Sequence, residues 1–328
     1  MTVPIKSSVT LSTQDGKGLP IPARRVISLY GSFNEILLAL GARDVIVART
    51  AADGHLPELA ELPAIGTHMQ PNAELIVAQK PDVILQMKGR RETGSQTEHL
   101  RELGIPVLTF ELNSLEDLYS VTLTLGRLVG REVEATNLVG QWRRRLAALR
   151  NSYATEPAVR VFFEAGSPNL LAAGKGNIVN DLINAAGGIN VVESPRKLVR
   201  LNEEAVIAAD PDAYVYQVGP MNPAPQPVAE RPHFRQLRAV REGRILEVEE
   251  EVFSRPGPRS IDAAEMLGHW LHARPAAPQE AEQADDRCRH EPQRRRQKRE
   301  PGTRIVRAPF LSCRRRLWTP SLRWRNER

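Results

Sequence analysis

The stretch Glu74–Leu85, ELIVAQKPDVIL, returns 130 positions later as Glu204–Val215, EAVIAADPDAYV. In both copies a Glu opens a short apolar-periodic helix, Pro-Asp ends it, and a buried-looking strand follows. Glu74, Ala78, Pro81 and Asp82 recur unchanged as Glu204, Ala208, Pro211 and Asp212, while Ile76, Val77 and Leu85 recur as Val206, Ile207 and Val215. A period this long is domain-sized. It predicts two similar globular lobes with a shared surface feature, and it argues against a solenoid built from units of about 20 to 50 residues.

The same grammar holds outward from the repeat. Arg24–Thr50, RRVISLYGSFNEILLALGARDVIVART, reads as strand, turn, helix, Gly stop and strand. Val26–Leu29 is the strand, Ser32 is placed to cap the helix with Glu35 completing a capping box, and Gly41 ends it. In the second half Val159–Glu164 is the strand, Ile178–Ala186 the helix, Gly187-Gly188 the stop and Ile189–Val192 the next strand. Between these openings lies one long helical pattern, Arg131–Ala154, with Leu138, Val139, Trp142, Leu146, Leu149 and Tyr153 on one stripe. At 1.5 Å per residue it reaches about 36 Å, enough to run along both lobes and to limit hinge motion. Strand and helix alternate elsewhere, so the fold class is α/β: two lobes with mainly parallel sheets flanked by helices and bridged by a single long helix. The divisions expected are a loose extension at 1–22, an N-terminal lobe at 23–130, the connecting helix at 131–154, a C-terminal lobe at 155–272 and a tail at 273–328.

Composition and charge narrow the function. The 328 residues are 41% apolar and 26% charged, enough for two domains with cores of their own. The net charge of +6 invites a nucleic-acid reading until it is divided along the chain. Pro275–Arg328 holds 15 Lys and Arg against 7 Asp and Glu, which leaves 30 against 32 in everything before it. The basicity therefore belongs to the tail. That tail is rich in Arg and Pro without a sustained period, which predicts disorder. Its Arg residues interleaved with Trp318 and Trp324 are the only nucleic-acid-like feature, and no nucleic-acid partner is expected from it. Cys288 and Cys313 also lie there, so the lobes hold no disulfide and no Cys-based metal site. The opening MTVPIKSSVTLSTQDGKGLPIPARR lacks the apolar run of a signal peptide, so the chain is either cytosolic as written or without its leader. No run approaches the roughly 18 apolar residues of a membrane span.

These residues resemble a known family, the periplasmic substrate-binding proteins of ABC importers for cobalamin, haem and ferric siderophores. The resemblance is carried by RRVISLYGSFNEILLALGA, LPAIGTHMQPNAELIVAQKPDVIL, the long helix, LNEEAVIAADPDAYV and FSRPGPRSIDAAEMLGHWL, covering Arg24–His272. It implies a non-catalytic receptor of the cell envelope, monomeric and without a cofactor, whose ligand is a metal chelate: a ferric siderophore foremost, then cobalamin or haem. It further implies that one acidic residue on each lobe, here Glu74 and Glu204, docks into arginine pockets on a permease dimer. Glu203, beside Glu204, leaves the second position open by one residue.

The ligand is expected between the lobes, at the carboxyl ends of the strands. From the first lobe this brings Tyr30, Gly31 and Ser32, then His68 and Met69, then Lys88, Arg90 and Arg91. The second lobe contributes Glu164, Asn169 and the 173–177 turn, then Lys197, Arg200, Gln217 and Met221, and finally Phe253, Ser254 and Arg255, with Arg259 nearby. The basic residues form a cationic rim suited to an anionic chelate, and Tyr30, Tyr216 and Phe253 are the aromatic platforms. Two other readings compete. A receptor for bare zinc or manganese would use His68 with His233, although no His-rich loop accompanies them. A two-lobed enzyme acting on an anionic small molecule fits poorly, because no nucleotide-binding glycine motif, nucleophile elbow or H-E-x-x-H pair occurs. The GKGN turn at Gly174–Asn177 lacks the spacing of a phosphate loop.

Overall fold

The computed structural model describes residues 19, 21–67, 69–88 and 98–273, which fall in one compact unit, Met1–Arg274. The Arg-rich tail beyond 273 lies outside the described residues, as do most of the N-terminal extension, His68, Arg90 and Arg91.

The first lobe is built on four parallel strands, β1 (Val26–Ser28), β2 (Ile46–Ala48), β3 (Val83–Met87) and β4 (Val107–Phe110), in the order β2-β1-β3-β4. All of β1 and the first four residues of β3 are buried. That is the continuous apolar run of a parallel sheet covered on both faces. The second lobe carries β5 (Val159–Gly166), β6 (Leu171–Ala173), β7 (Gly188–Asn190), β8 (Leu198–Arg200), β9 (Ala213–Val218) and β10 (Ile245–Glu249). Here β10, β9, β5 and β7 run parallel, and the sheet is extended by β6, antiparallel to β5, and by β8, antiparallel to β6. The alternation read from the sequence thus gives two α/β lobes, with an antiparallel edge on the second.

The helices are α1 (Gly31–Ala39), α2 (Ala73–Ala78), α3 (Leu115–Val129), α4 (Glu132–Ser152), α5 (Ile178–Ala185), α6 (Glu203–Ala209), α7 (Arg238–Arg241), α8 (Glu250–Phe253) and α9 (Arg259–His272). The opening repeat recurs in the helix caps and strand joints of α2–β3 and α6–β9. Asn72 and Asn202 cap the two helices, their side-chain oxygens accepting from Leu75 N at 3.0 Å and Ala205 N at 3.1 Å. Lys80 and Asp210 both adopt positive φ, 46° and 37°, to leave the helix. Asp82 accepts from Arg25 N at 2.9 Å and Asp212 from Arg160 N at 2.9 Å, so each carboxylate fastens the start of the neighbouring central strand. The side chains of Arg25 and Arg160 return the bond, donating to Gln79 O and Ala209 O. The repeated Pro-Asp is therefore a structural joint.

Two expectations change. The single long helical pattern is preceded by a second helix, α3, in addition to the one the periodicity predicts. Ser114 and Asp117 form its capping box, and Gly130, at φ 70°, ends it before α4 starts at Glu132. Ser32 does not cap α1. Tyr30 holds the extended N-cap conformation, Ser32 is buried inside the first turn, and Glu35 is bonded to Arg259 instead.

The bridging helix α4 has 21 residues, about 31 Å at 1.5 Å per residue, and buries Ala135, Val139, Trp142, Leu146 and Leu149. Arg145, flanking that stripe, forks to Glu265 (2.8 and 2.6 Å) and Asp262 (2.5 Å) of α9. One apolar core runs from Phe33 and Phe110 through Leu118, Leu125 and Trp142 to Ile183, Phe163 and Phe253. Each of these aromatics contributes about 1.5–3 kcal/mol by burial, so separating the lobes would expose a large apolar area. No helix among the described residues is long and apolar enough to cross a membrane.

Candidate solute cleft and docking face

The carboxyl ends of β1, β3 and β4 meet the second lobe at a few defined contacts. Lys197, after β7, donates to Asn113 Oδ1 at 3.0 Å, and Leu115 N donates to Asp181 of α5 at 2.9 Å. Arg259, at the start of α9, grips Glu35 of α1 with two bonds of 3.0 and 2.6 Å. The turn at Gly31 packs tightly on Asp53 of its own lobe, where a Cβ would lie 3.0 Å from Oδ1, and meets the segment after α8 at ordinary contact distance, 3.9 Å from Arg255 Nη1. These contacts form the floor between the lobes.

Around that floor, Tyr30, Met69, Lys88, Lys197 and Arg255 keep part of their surface open. Tyr30 packs edge-on against Phe33, with centroids 5.8 Å apart. Lys88 is paired with Glu111 at 2.7 Å, and Arg255 with Glu251 at 3.4 Å. Arg259 titrates above its ordinary range: burial opposes its charge, but the Glu35 carboxylate outweighs burial. For these three cations the expected cationic rim is a set of ion pairs. Asp53, Ser32 and Asn34 add buried polar groups on the first-lobe side; Asp53 takes both the amide and the hydroxyl of Thr50.

Three other expected cleft residues lie inside the second lobe. Glu164 is fully buried and takes both arms of the Arg231 guanidinium at 2.6 and 3.0 Å, with the Tyr214 hydroxyl also donating to it. Gln217 donates to Ala165 O and receives the Ser254 hydroxyl. Phe253 stacks on Phe163 at 6.2 Å between centroids. Glu164 and Gln217 lie on β5 and β9, central strands covered on both faces, and Phe253 ends α8 inside the core shared by the lobes. Burial pushes the Tyr214 hydroxyl far up, with the Glu164 carboxylate adding to it. Tyr216, an expected platform, is raised to about 12 by burial and by its bond to Glu247. The GKGN turn has a packing role: a Cβ at Gly174 would sit 2.2 Å from Arg196 O, so glycine lets the 194–197 segment lie against it and carry Lys197 to Asn113.

Asn169, Arg200 and Met221 gather elsewhere. Asn169 and Arg200 line a cavity of about 800 Å³ on the second lobe, beside Met221 and together with Glu203 and Glu204. Glu204 is the second residue of α6 after its Asn202 cap, as Glu74 is the second of α2 after Asn72; Glu203 corresponds to Ala73. Both Glu74 and Glu204 are exposed. His233 stands 3.9 Å from Glu203, while His68 lies outside the described residues. Sequence reasoning missed Glu35, Asn113, Glu111 and Arg231, whose partners are far away in the chain, and Glu251, which pairs with Arg255 four residues on.

Two α/β lobes joined by a stiff helix, with their strand ends turned to a shared floor, define a two-lobed solute-binding protein. The chain belongs to the periplasmic binding protein family, whose model matches residues 26–252. It is 27% identical over 255 residues to the uncharacterized ABC transporter substrate-binding lipoprotein YvrC of Bacillus subtilis, a match covering 76% of this chain and 80% of that one. It is 24% identical over 258 residues to the vitamin B12-binding protein of Vibrio cholerae, covering 77% and 90%. Among solved structures it resembles the periplasmic heme-binding protein RhuT of Roseiflexus at 26% identity and TM-score 0.64, covering 76% and 98%.

Proposed function

We propose that this chain is the solute receptor of an ABC importer in the cell envelope, and that the solute it holds between its lobes is a corrinoid. The charge balance of the floor among the described residues supports this choice within the chelate class. Catecholates and haem propionates call for guanidinium forks that are not already engaged. Lys88, Arg255 and Arg259 instead sit beside Glu111, Glu251 and Glu35. A corrinoid edged with neutral amides is matched by polar groups such as Asn113, and Tyr30 offers a ring at the same edge. The vitamin B12-binding relative supports the same solute. Delivery would run through Glu74 and Glu204, which hold the same helical position on the two lobes and make no hydrogen bond or ion pair among the described residues.

Protein purified from cells supplied with cyanocobalamin, haemin and a ferric hydroxamate should carry corrin absorbance. Haem or ferric hydroxamate absorbance without corrin would contradict the choice of solute. For docking, Glu74→Lys with Glu204→Lys is expected to leave cyanocobalamin affinity within about twofold and to abolish uptake. A loss of affinity would instead assign the pair to the cleft or the fold.

A further inference from the structure

Asp53 is fully buried, yet only one of its carboxyl oxygens is engaged. It sits in the short turn Ala51–His55 after β2, where Oδ2 takes the Thr50 amide at 2.8 Å and the Thr50 hydroxyl at 2.7 Å. Oδ1 has no hydrogen-bond partner among the described residues. A buried carboxyl oxygen left without a donor is costly, and native structures ordinarily supply one. The surroundings of Oδ1 name the donor. It lies 3.0 Å from the point a Cβ at Gly31 would occupy, and Arg255 Nη1 of the second lobe borders that same point at 3.9 Å. Glycine keeps the space between them open.

Arg255 is held loosely where it stands. Its partner Glu251 lies 3.4 Å away with the two side chains 17% and 35% exposed, so water screens the pair. Glu251 also has a second cation, Arg259 Nη1 at 3.9 Å, and would keep it if Arg255 left. We propose that Asp53 is a positioning residue for solute capture: Arg255 moves from Glu251 to Asp53 Oδ1 through the space at Gly31 when a solute covers the floor, and the new pair latches the lobes; this rests on the receptor reading above. Desolvation drives the exchange. A solute over the floor strips water from the Glu251–Arg255 pair, and in the drier site Arg255 is drawn to the carboxyl oxygen that has no other donor. A bond within the second lobe becomes a bond between lobes, with no domain rotation. The latch acts on departure, since the solute leaves only after the pair is undone.

Stopped-flow release of cyanocobalamin from the full chain tests this. Asp53→Asn keeps an oxygen for Thr50 but removes the charge that draws Arg255, and Gly31→Ala puts a methyl in the path. Both should release cyanocobalamin about tenfold faster while association stays within about twofold of wild type. Arg255→Met should speed release as well, and adding Asp53→Asn to it should change nothing further, because the two residues act as one pair. Wild-type release from both single variants, or effects that multiply in the double variant, would overturn the latch. So would slower association with unchanged release, which would mark Asp53 as a packing residue. If the wild type took up haemin or a ferric hydroxamate and no cyanocobalamin, the choice of a corrinoid would fail instead, and release of that chelate from the same variants would decide the latch.

Discussion

Asp82 and Asp212 show what a repeated residue means at the scale of single atoms. Each carboxylate binds the backbone N–H that starts a central strand, so conservation of type within the chain has a structural cause there. Glu74 and Glu204 have no such bond among the described residues, which is what the proposed docking role requires of them. Replacing Arg231 by Met would leave Glu164 buried without its counter-charge, and a loss of about 3 kcal/mol is expected by chemical denaturation. The double change of Glu164 and Arg231 to Met should recover much of that stability. Asp181 offers a pH test. Burial raises its carboxyl above the ordinary 3.8, opposed by the Leu115 N–H and Asn180. A carboxylate whose folded pKa is raised weighs against the fold once ionised, and that penalty fades as pH falls through the folded value towards 3.8. The stability of the wild type relative to Asp181→Asn should therefore rise over that interval; parallel thermal midpoints at neutral and acid pH would contradict it.

At the scale of elements, the repeat made most of the fold legible, because helix caps, Pro-Asp joints and apolar strands act through neighbours in sequence. The helix α3 was equally marked, by Ser114, Asp117 and Gly130, and went unread only because α4 follows within three residues. The capping box expected at Ser32 failed for a different reason: Glu35 has a stronger partner in Arg259, 224 residues away, which no local pattern reveals. Cleft pairs such as Lys197–Asn113 were illegible on the same ground. The glycine at 174 makes one of these pairs testable. Gly174→Ala would press a methyl against Arg196 O, displacing the 194–197 segment. Stability should fall by roughly 1–3 kcal/mol, with cyanocobalamin affinity reduced as Lys197 leaves Asn113; unchanged affinity would remove Lys197 from the floor.

For the whole molecule, the core shared by both lobes and the clamps at Arg145 and Arg259 resist opening. Solute capture should therefore involve little domain rotation. Arg259→Met is expected to increase the solute-free radius of gyration in X-ray scattering, while the wild type changes little on adding solute; a large closure in the wild type would show that the clamps do not govern the lobes. The most direct test of the central claim is calorimetric titration of the full chain with cyanocobalamin, haemin and a ferric hydroxamate in parallel. One cyanocobalamin per chain is expected at a Kd of about 1 μM or tighter, roughly 8 kcal/mol of binding free energy, with the other two at least tenfold weaker. Saturable binding of haemin or the ferric hydroxamate with no heat from cyanocobalamin would contradict it.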